Sequence, residues 1–298
     1  MKVLSFETPS KINLFLRVLG KRGDGYHEIL TEMVMISLSD RMTVRTGDGG
    51  ERSDSLTLSG RAIDGVPDDN LVLKAFRLFR EASSGSLGSP KSRPVFVADL
   101  EKRIPVGAGL GGGSGNAAGA LWAANSLSGS PLNREALETL AGKLGSDVPF
   151  FLGSPHSAAF GRGERIRPLP PFSDRIVLVW NPGFTVSTRD VYQKLDAKPV
   201  PLLTEGECIH RINSLLSDGF RKNDLERVTI DMHPVLGKAK GCLQGGGAEF
   251  ALMSGSGPSF FGIFSEIQAA ERVRQEIVEH LGGWAGVFHT LDSSPFAP

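Results

Sequence analysis

Six glycines within residues 107–115 constrain this chain more than any other feature of its sequence. Glycine has no side chain, so such a run brings consecutive backbone N–H groups to its surface, and a helix predicted over 114–127 begins inside it. Unpaired N–H groups at the start of a helix bind anions such as phosphate. The sequence therefore predicts a phosphate-binding loop, with a simple tight turn as the plainer alternative.

Two common nucleotide-binding loops fit this run poorly. Gly107, Gly109 and Gly112 satisfy the G-x-G-x-x-G spacing of dinucleotide-binding folds, which keeps an NAD-type oxidoreductase as an alternative. A charged segment and Pro105 nevertheless separate these glycines from the preceding predicted strand, where the dinucleotide fingerprint needs a direct connection. A Walker A loop fails because Gly113 stands where that motif has its lysine.

The spacing of apolar residues predicts a mixed α+β chain. Alternation in the first 45 residues indicates strands broken by a turn at 20–25, with a second strand pair around 33–36 and 41–45. Residues 68–70 precede one helical pattern that begins at Leu71, and Asn133 precedes another that Gly145 ends. Further predicted elements are strands at 56–58, 95–100, 176–180, 250–253 and 260–264, helices at 205–216 and 268–281, and loops at 46–55 and 83–93.

Pro168, Pro170 and Pro171 mark a predicted boundary between two domains, 1–167 and 168–298. Cys208 and Cys242 have no Cys-x-x-Cys spacing, so we expect reduced packing residues rather than a disulfide or a zinc site.

The charge balance and the absence of long apolar runs exclude several classes of partner. Lys plus Arg and Asp plus Glu both number 33, so no basic excess favours nucleic acid. No apolar run reaches the roughly 18 residues of a membrane span, and the first residues lack a signal-peptide pattern. We therefore expect a cytoplasmic protein with no nucleic-acid and no membrane partner.

Three motifs in order resemble those of the GHMP kinase family. They are Pro-Ser-Lys-Ile-Asn-Leu at 9–14, Pro-Val-Gly-Ala-Gly-Leu-Gly-Gly-Gly-Ser at 105–114, and Ser-Gly-Ser-Gly-Pro-Ser at 254–259. Within that family, Arg-Gly-Asp-Gly-Tyr-His-Glu at 22–28 and the long glycine run resemble the branch that phosphorylates 4-diphosphocytidyl-2-C-methyl-D-erythritol in non-mevalonate isoprenoid synthesis.

The resemblance implies an α+β fold with a ribosomal S5 domain-2-like N-terminal domain, a ferredoxin-like C-terminal domain, and an active site in the cleft. It implies ATP as co-substrate, Mg²⁺ as cofactor, the cytidine-diphosphate-linked polyol as second substrate, and a monomer or weak homodimer. Another small-alcohol GHMP kinase is the alternative within the class. A noncatalytic RNA-binding module on an S5-like fold is the alternative outside it, which the zero net charge disfavours.

The resemblance also implies two sets of binding residues. The set predicted to bind ATP is Pro105, Val106, Gly107, Ala108, Gly109, Leu110, Gly111, Gly112, Gly113, Ser114 and Gly115. The set predicted to bind the second substrate is Asn13, Tyr26, His27, Tyr192, Ser254, Gly255 and Ser256. Gly115 departs from the Ser or Ala that the family commonly carries, so the residues that hold the metal stay unknown.

Phosphoryl transfer to an alcohol needs a group that acts on the hydroxyl proton and charge that stabilises the phosphates. From the residues alone, Asp147 is a helix N-cap and Lys11 a solvated strand-edge charge. The family resemblance instead makes Asp147 the catalytic base, with Lys11 beside it.

The base of the second substrate is predicted to lie between the only two tyrosines, Tyr26 and Tyr192, because aromatic faces stack on nucleobases. His27 is predicted to contact the polar edge of cytosine. The alternatives are a β-turn at 23–28, core packing for Tyr192, and a hairpin turn at 254–259. Asn70 is predicted to cap its helix.

Overall fold

The computed structural model describes residues 2–47, 53–62, 69–83, 94–198 and 203–296, so half of the predicted loop at 46–55 and nearly all of that at 83–93 lie outside the described residues. The strands are β1 (Val3–Lys21), β2 (His27–Thr46), β3 (Ser55–Gly60), β4 (Phe96–Lys102), β5 (His156–Gly161), β6 (Arg165–Pro168), β7 (Ile176–Asn181), β8 (Phe250–Met253), β9 (Phe260–Phe264) and β10 (Trp284–His289). The helices are α1 (Leu71–Ala82), α2 (Gly112–Leu127), α3 (Arg134–Leu144), α4 (Val148–Leu152), α5 (Thr188–Lys194), α6 (Glu205–Ser217), α7 (Glu226–Met232), α8 (Val235–Gly245) and α9 (Ile267–Leu281).

A long antiparallel hairpin of β1 and β2 forms the centre of the first sheet. On the other edge of β2, β4 pairs with residues 41–46 and β5 with residues 29–34. The prediction of two separate strands in this part of the chain was wrong. Ser39 and Asp40, which lie between the two predicted strands, pair with Pro9 and Thr8 of β1 and continue one strand.

Successive side chains of a strand point to opposite faces of its sheet. Both sets are apolar in β2, so the first sheet is packed on both faces. Met33 and Met35 join an apolar cluster under α1, α2, α3 and α4, whereas Val34 and Ile36 face the second sheet. Helix α2 is buried along nearly all its length, which suits its run of alanine and glycine.

The second sheet has the antiparallel order β10-β7-β9-β8. One face packs on α8 and α9, and the other meets the first sheet through residues such as Val177 and Phe261. This is the α+β arrangement that the sequence predicted.

Several elements were predicted at the right place and others were missed. Asn70 and Asn133 cap α1 and α3 by accepting hydrogen bonds from Val72 N and Ala136 N, and Gly145 ends α3. Strands β5, β6 and β10 and helices α5, α7 and α8 gave no sequence signal, because most are short and show no clear apolar period. Both cysteines are free thiols.

Two segments of the second half of the chain lie against the first sheet. Cys208 and Ile212 of α6 pack with Phe15 of β1 and Leu30 of β2. At the other end of the chain, Phe296 lies in the helical core of the first half. The domain boundary between residues 167 and 168 therefore stays a prediction. The first sheet ends there, but side chains from the two sides of the boundary pack against each other.

Candidate active site

Two clefts share the glycine loop. The large cleft has a volume of about 900 Å³ and lies between the β1–β2 hairpin, the start of α4 and α5. The small cleft, of about 430 Å³, lies between the loop and the start of α1. Gly109, Gly111 and Ser114 line both clefts, so one backbone segment separates them.

Two neighbouring residues hold the loop, one through its backbone and one through its side chain. The Lys11 N–H donates to the Leu110 carbonyl at 2.9 Å, and the Ser254 hydroxyl donates to the Gly109 carbonyl at 2.9 Å. Gly109 has φ +75°, and a Cβ there would lie 2.1 Å from the Ser254 carbonyl oxygen. Only glycine fits at this close approach.

Lys11 and Asp147 meet at the shared wall of the clefts. The Lys11 ammonium donates to Asn13 Oδ1 at 2.6 Å and lies 3.5 Å from Asp147 Oδ2. Lys11 is only 3% exposed, so it is not the solvated edge charge that strand alternation suggested. Asp147 occupies the N-cap position of α4 but makes no side-chain capping bond, which leaves its carboxylate in the cleft.

A chain of hydrogen bonds fixes Asn13. Its amide donates to Thr31 Oγ1 at 2.8 Å, and the Thr31 hydroxyl donates to the Phe15 carbonyl at 2.6 Å. With its amide nitrogen used in this way, Asn13 presents its oxygen to the Lys11 ammonium. Thr31 gave no sequence signal.

Aromatic side chains line the far end of the large cleft. The rings of His27 and Tyr192 lie 4.8 Å apart and are tilted by 33°. Tyr26 is 54% exposed, and the Arg162 guanidinium lies 4.7 Å from its ring centre. The structure thus brings the two tyrosines to one cleft. One face of the Tyr26 ring contacts Arg162, and the Tyr192 ring contacts His27.

Burial acts on two of these groups. Desolvation, with the nearby Lys21 charge as a second cause, holds the pKa of His27 below its ordinary value of 6.5. His27 is therefore neutral at pH 7, with one ring nitrogen that donates and one that accepts. Desolvation and the Asp147 carboxylate raise the pKa of Tyr192, which remains a neutral phenol.

Two predicted binding residues, Ser254 and Gly115, lie behind the cleft surfaces, and a third, Ser256, lies at the surface. Ser254 is completely buried, and its hydroxyl supports the loop in place of the predicted substrate contact. Gly115 is buried against β1, where a Cβ would lie 2.7 Å from the Pro9 carbonyl oxygen, so the Ser or Ala common in the family has no room here. Ser256 lines the large cleft, and its Oγ lies 2.7 Å from Thr188 Oγ1.

Positive charge exceeds negative charge around the large cleft. Its charged lining residues are Lys11, Lys21, Arg162, Arg189, Asp147 and Asp196. Within the described part of the chain, neither Lys21 nor Arg189 has an acidic partner within ion-pair distance. Four cations against two carboxylates favour an anionic ligand. Sequence reasoning missed this set, because single basic residues carry no motif.

Two features are absent from the described residues. They contain no group of three or more His, Cys, Asp or Glu side chains placed to hold a metal ion. None of their helices combines the length and apolar character needed to cross a bilayer.

Comparison with known proteins gives the class. The family model for the GHMP kinase N-terminal domain matches residues 70–154, and that for the GHMP kinase C-terminal region matches residues 203–282. This chain belongs to the GHMP kinase family, which is a family of ATP-dependent kinases.

Full-length relatives define the branch within that family. A 4-diphosphocytidyl-2-C-methyl-D-erythritol kinase of Pelobacter propionicus is 38% identical, over 98% of this chain and 100% of its own. One of Heliobacterium modesticaldum is 37% identical, over 92% and 90%. The crystal structure of a 4-(cytidine 5'-diphospho)-2C-methyl-D-erythritol kinase has a TM-score of 0.75 and 33% identity, over 96% of this chain and 99% of that one. The branch is therefore that of the 4-diphosphocytidyl-2-C-methyl-D-erythritol kinases.

Proposed function

We propose that this chain transfers the γ-phosphate of ATP to the 2-hydroxyl of 4-diphosphocytidyl-2-C-methyl-D-erythritol in the methylerythritol phosphate pathway. The observation that carries the proposal is the large cleft itself. It joins the aromatic group of Tyr26, His27 and Tyr192 to the Lys11–Asp147 pair, with the glycine loop beside that pair. A long ligand with a base at one end and a polyol at the other fits this arrangement.

The small cleft is assigned to the nucleoside of ATP. It is lined by the loop from Pro105 to Ser114 together with Asn70 and Leu71. The free N–H groups at the start of α2 favour the triphosphate at the boundary between the clefts. The γ-phosphate then faces the large cleft, where Lys11 and Asp147 lie.

The transfer forms a bond between the acceptor oxygen and the γ-phosphorus and breaks the bond between the γ-phosphorus and the β,γ-bridging oxygen, so ADP leaves. Asp147 accepts or orients the proton of the 2-hydroxyl. The Lys11 ammonium, 3.5 Å from that carboxylate, stabilises negative charge on the attacking and transferred oxygens. Asn13 holds the ammonium at this place.

Mg²⁺ fits this site as an ion carried mainly by the nucleotide. Magnesium keeps several waters and uses phosphate oxygens with one or two protein ligands, so a dedicated cage of acidic residues is not required. The Ser114 hydroxyl, which lines both clefts, is the proposed protein ligand. When bound, Mg²⁺ would neutralise phosphate charge.

The other residues that line the large cleft are proposed to bind the cytosine base and the diphosphate of the second substrate. Neutral His27 can donate to and accept from the N3 and N4 edge of cytosine, and the exposed ring of Tyr26 offers a stacking surface. Arg162, Lys21 and Arg189 supply the positive charge that a diphosphate needs. We also propose a cytoplasmic enzyme that acts as a monomer or weak homodimer.

The test is ADP release measured with a panel of alcohols: the cytidine-linked polyol, free methylerythritol, mevalonate, homoserine and galactose. Turnover should be confined to the cytidine-linked compound, because binding of the remote base positions the reacting hydroxyl. Comparable turnover of free methylerythritol would contradict the assigned pocket while leaving a small-alcohol kinase.

Replacement of Tyr192 tests the same pocket from the protein side. Tyr192→Ala should weaken binding of the cytidine substrate by about 1 to 3 kcal/mol, the usual scale for base stacking. Tyr192→Phe keeps the ring and serves as the matched control. Equal affinity in Tyr192→Ala and wild type would remove this residue from the pocket.

A further inference from the structure

The buried carboxylate of Asp40, outside the large cleft, accepts hydrogen bonds from several donors besides its lysine partner. Asp40, in the middle of β2, is completely buried. Its Oδ1 accepts from the backbone N–H groups of Arg103 at 2.7 Å and Ile104 at 2.8 Å. Its Oδ2 accepts from the Lys102 ammonium and, at 3.0 Å, from the Asn116 amide. Four donors converge on one side chain.

These donors lie on the two sides of the glycine loop. Arg103 and Ile104 form the segment that enters the loop, and Asn116 belongs to the first turns of α2, directly after it. Lys102 also donates to Asn116 Oδ1 at 3.0 Å, which closes the network. Asp40 therefore ties together the two ends of residues 105–115.

The loop needs such an anchor because glycine loses more conformational freedom on ordering than any other residue. Bonds from Lys11 N, Ser254 Oγ and Ser259 N hold its middle, at residues 110, 109 and 108. The loop's N–H groups point to a common centre only if both ends are also fixed. Asp40 supplies this constraint from beneath the loop.

Fold stability alone is a weak explanation for this network. A buried ion pair often adds little net stability, since desolvation of both charges offsets their attraction. Lys102, which is 4% exposed, lines the small cleft, and burial lowers its pKa while the Asp40 charge opposes that change. The network thus lies at the wall of the proposed nucleotide site, so a change in its geometry should change the affinity for ATP.

We infer that Asp40 is a positioning residue for ATP, which acts by fixing both ends of the phosphate loop. This inference rests on the proposed placement of ATP along the loop. It makes loss of the network a defect in nucleotide binding, with the cytidine end of the large cleft unaffected.

The first experiment measures the dissociation constants of ATP and of the cytidine substrate separately, by titration calorimetry of folded variants. Asp40→Asn places an amide before the Lys102 and Asn116 donors. Asn116→Ala keeps the Asp40 carboxylate and removes the hydrogen bonds that join α2 to Asp40, Lys102 and Thr8. Each should weaken ATP about tenfold or more and change cytidine-substrate binding less than twofold. Asp54→Asn is the matched control. That carboxylate accepts from Arg80 and from Phe96 N at the opposite end of β4, so ATP binding should match wild type.

A second variant covers the case in which Asp40→Asn does not fold. Asp40→Asn combined with Asn116→Asp exchanges the two side chains and keeps a carboxylate beside Lys102, so ATP affinity should return to within about threefold of wild type. Wild-type ATP affinity in Asn116→Ala, parallel weakening of both ligands, or no recovery in the exchanged variant would each overturn the inference. If wild type phosphorylates a different alcohol, the proposed function fails, but these ATP affinities still decide the role of Asp40.

Discussion

Replacement of Asp147 by asparagine separates catalysis from folding. The carboxylate is 37% exposed, makes no capping bond, and lies 3.5 Å from the Lys11 ammonium. Because solvent screens a carboxylate that is more than a third exposed, we expect its pairing with the buried Lys11 to contribute only about 1 kcal/mol to the free energy of unfolding. In the transition state, however, the same carboxylate acts on the acceptor proton. We therefore expect kcat to fall by about 10² or more, which corresponds to a loss of roughly 2.7 kcal/mol of transition-state stabilisation.

The assay is steady-state ADP release with saturating ATP and cytidine substrate, beside ATP titration and thermal melting. ATP affinity and the melting temperature of Asp147→Asn should stay close to wild type. Asp190→Asn, which removes the same charge from the exposed first turn of α5, controls for the change in net charge and should keep kcat within about twofold. A wild-type kcat in Asp147→Asn, or a loss matched by partial unfolding, would refute a catalytic role.

Three further results are expected. Lys11→Met keeps the buried stem and removes the charge, so kcat should fall while the fold is retained in circular dichroism; an unchanged kcat would contradict charge stabilisation. Gly109→Ala should destabilise the fold by more than the roughly 1 to 2 kcal/mol of a left-handed alanine, because its methyl also meets the Ser254 carbonyl; denaturant unfolding measures this. Because the pKa of His27 is depressed below its ordinary value, affinity for cytidine ligands should stay constant from neutral pH down through pH 6.5 and fall only at lower pH, where the ring becomes charged; a His27→Gln variant that kept this pH dependence would exclude His27 as its source.

The sequence was sufficient where one local pattern decides the outcome. Asn70 and Asn133 cap helices as their positions before apolar periods predict, since capping needs only a side-chain oxygen and the next turn. The glycine loop that leads into α2 was likewise visible, because six glycines in nine residues before a helix form a local pattern, while its binding of phosphate stays a prediction.

The sequence was insufficient where distant segments decide. Strand alternation alone predicts that Lys11 is an exposed edge charge. In the fold, the glycine loop packs against it at Leu110, and its ammonium pairs with the Asp147 carboxylate. Asp40 gave no sequence signal, because its four donors come from a part of the chain more than sixty residues away. Arg162 carries no motif, and its place over Tyr26 follows from pairing of β5 with β2.

The packing that crosses the two halves limits how they can move and be separated. The two halves contact each other at both ends. Helix α6 packs on β1 and β2, Leu16 forms a β-bridge with Asn223, and Phe296 packs among the helices of the first half. A chain cut near residue 167 would expose apolar surface on each side of the cut. We therefore expect the two halves to unfold together as one cooperative unit, and substrate entry to need only local shifts at the rim of the cleft.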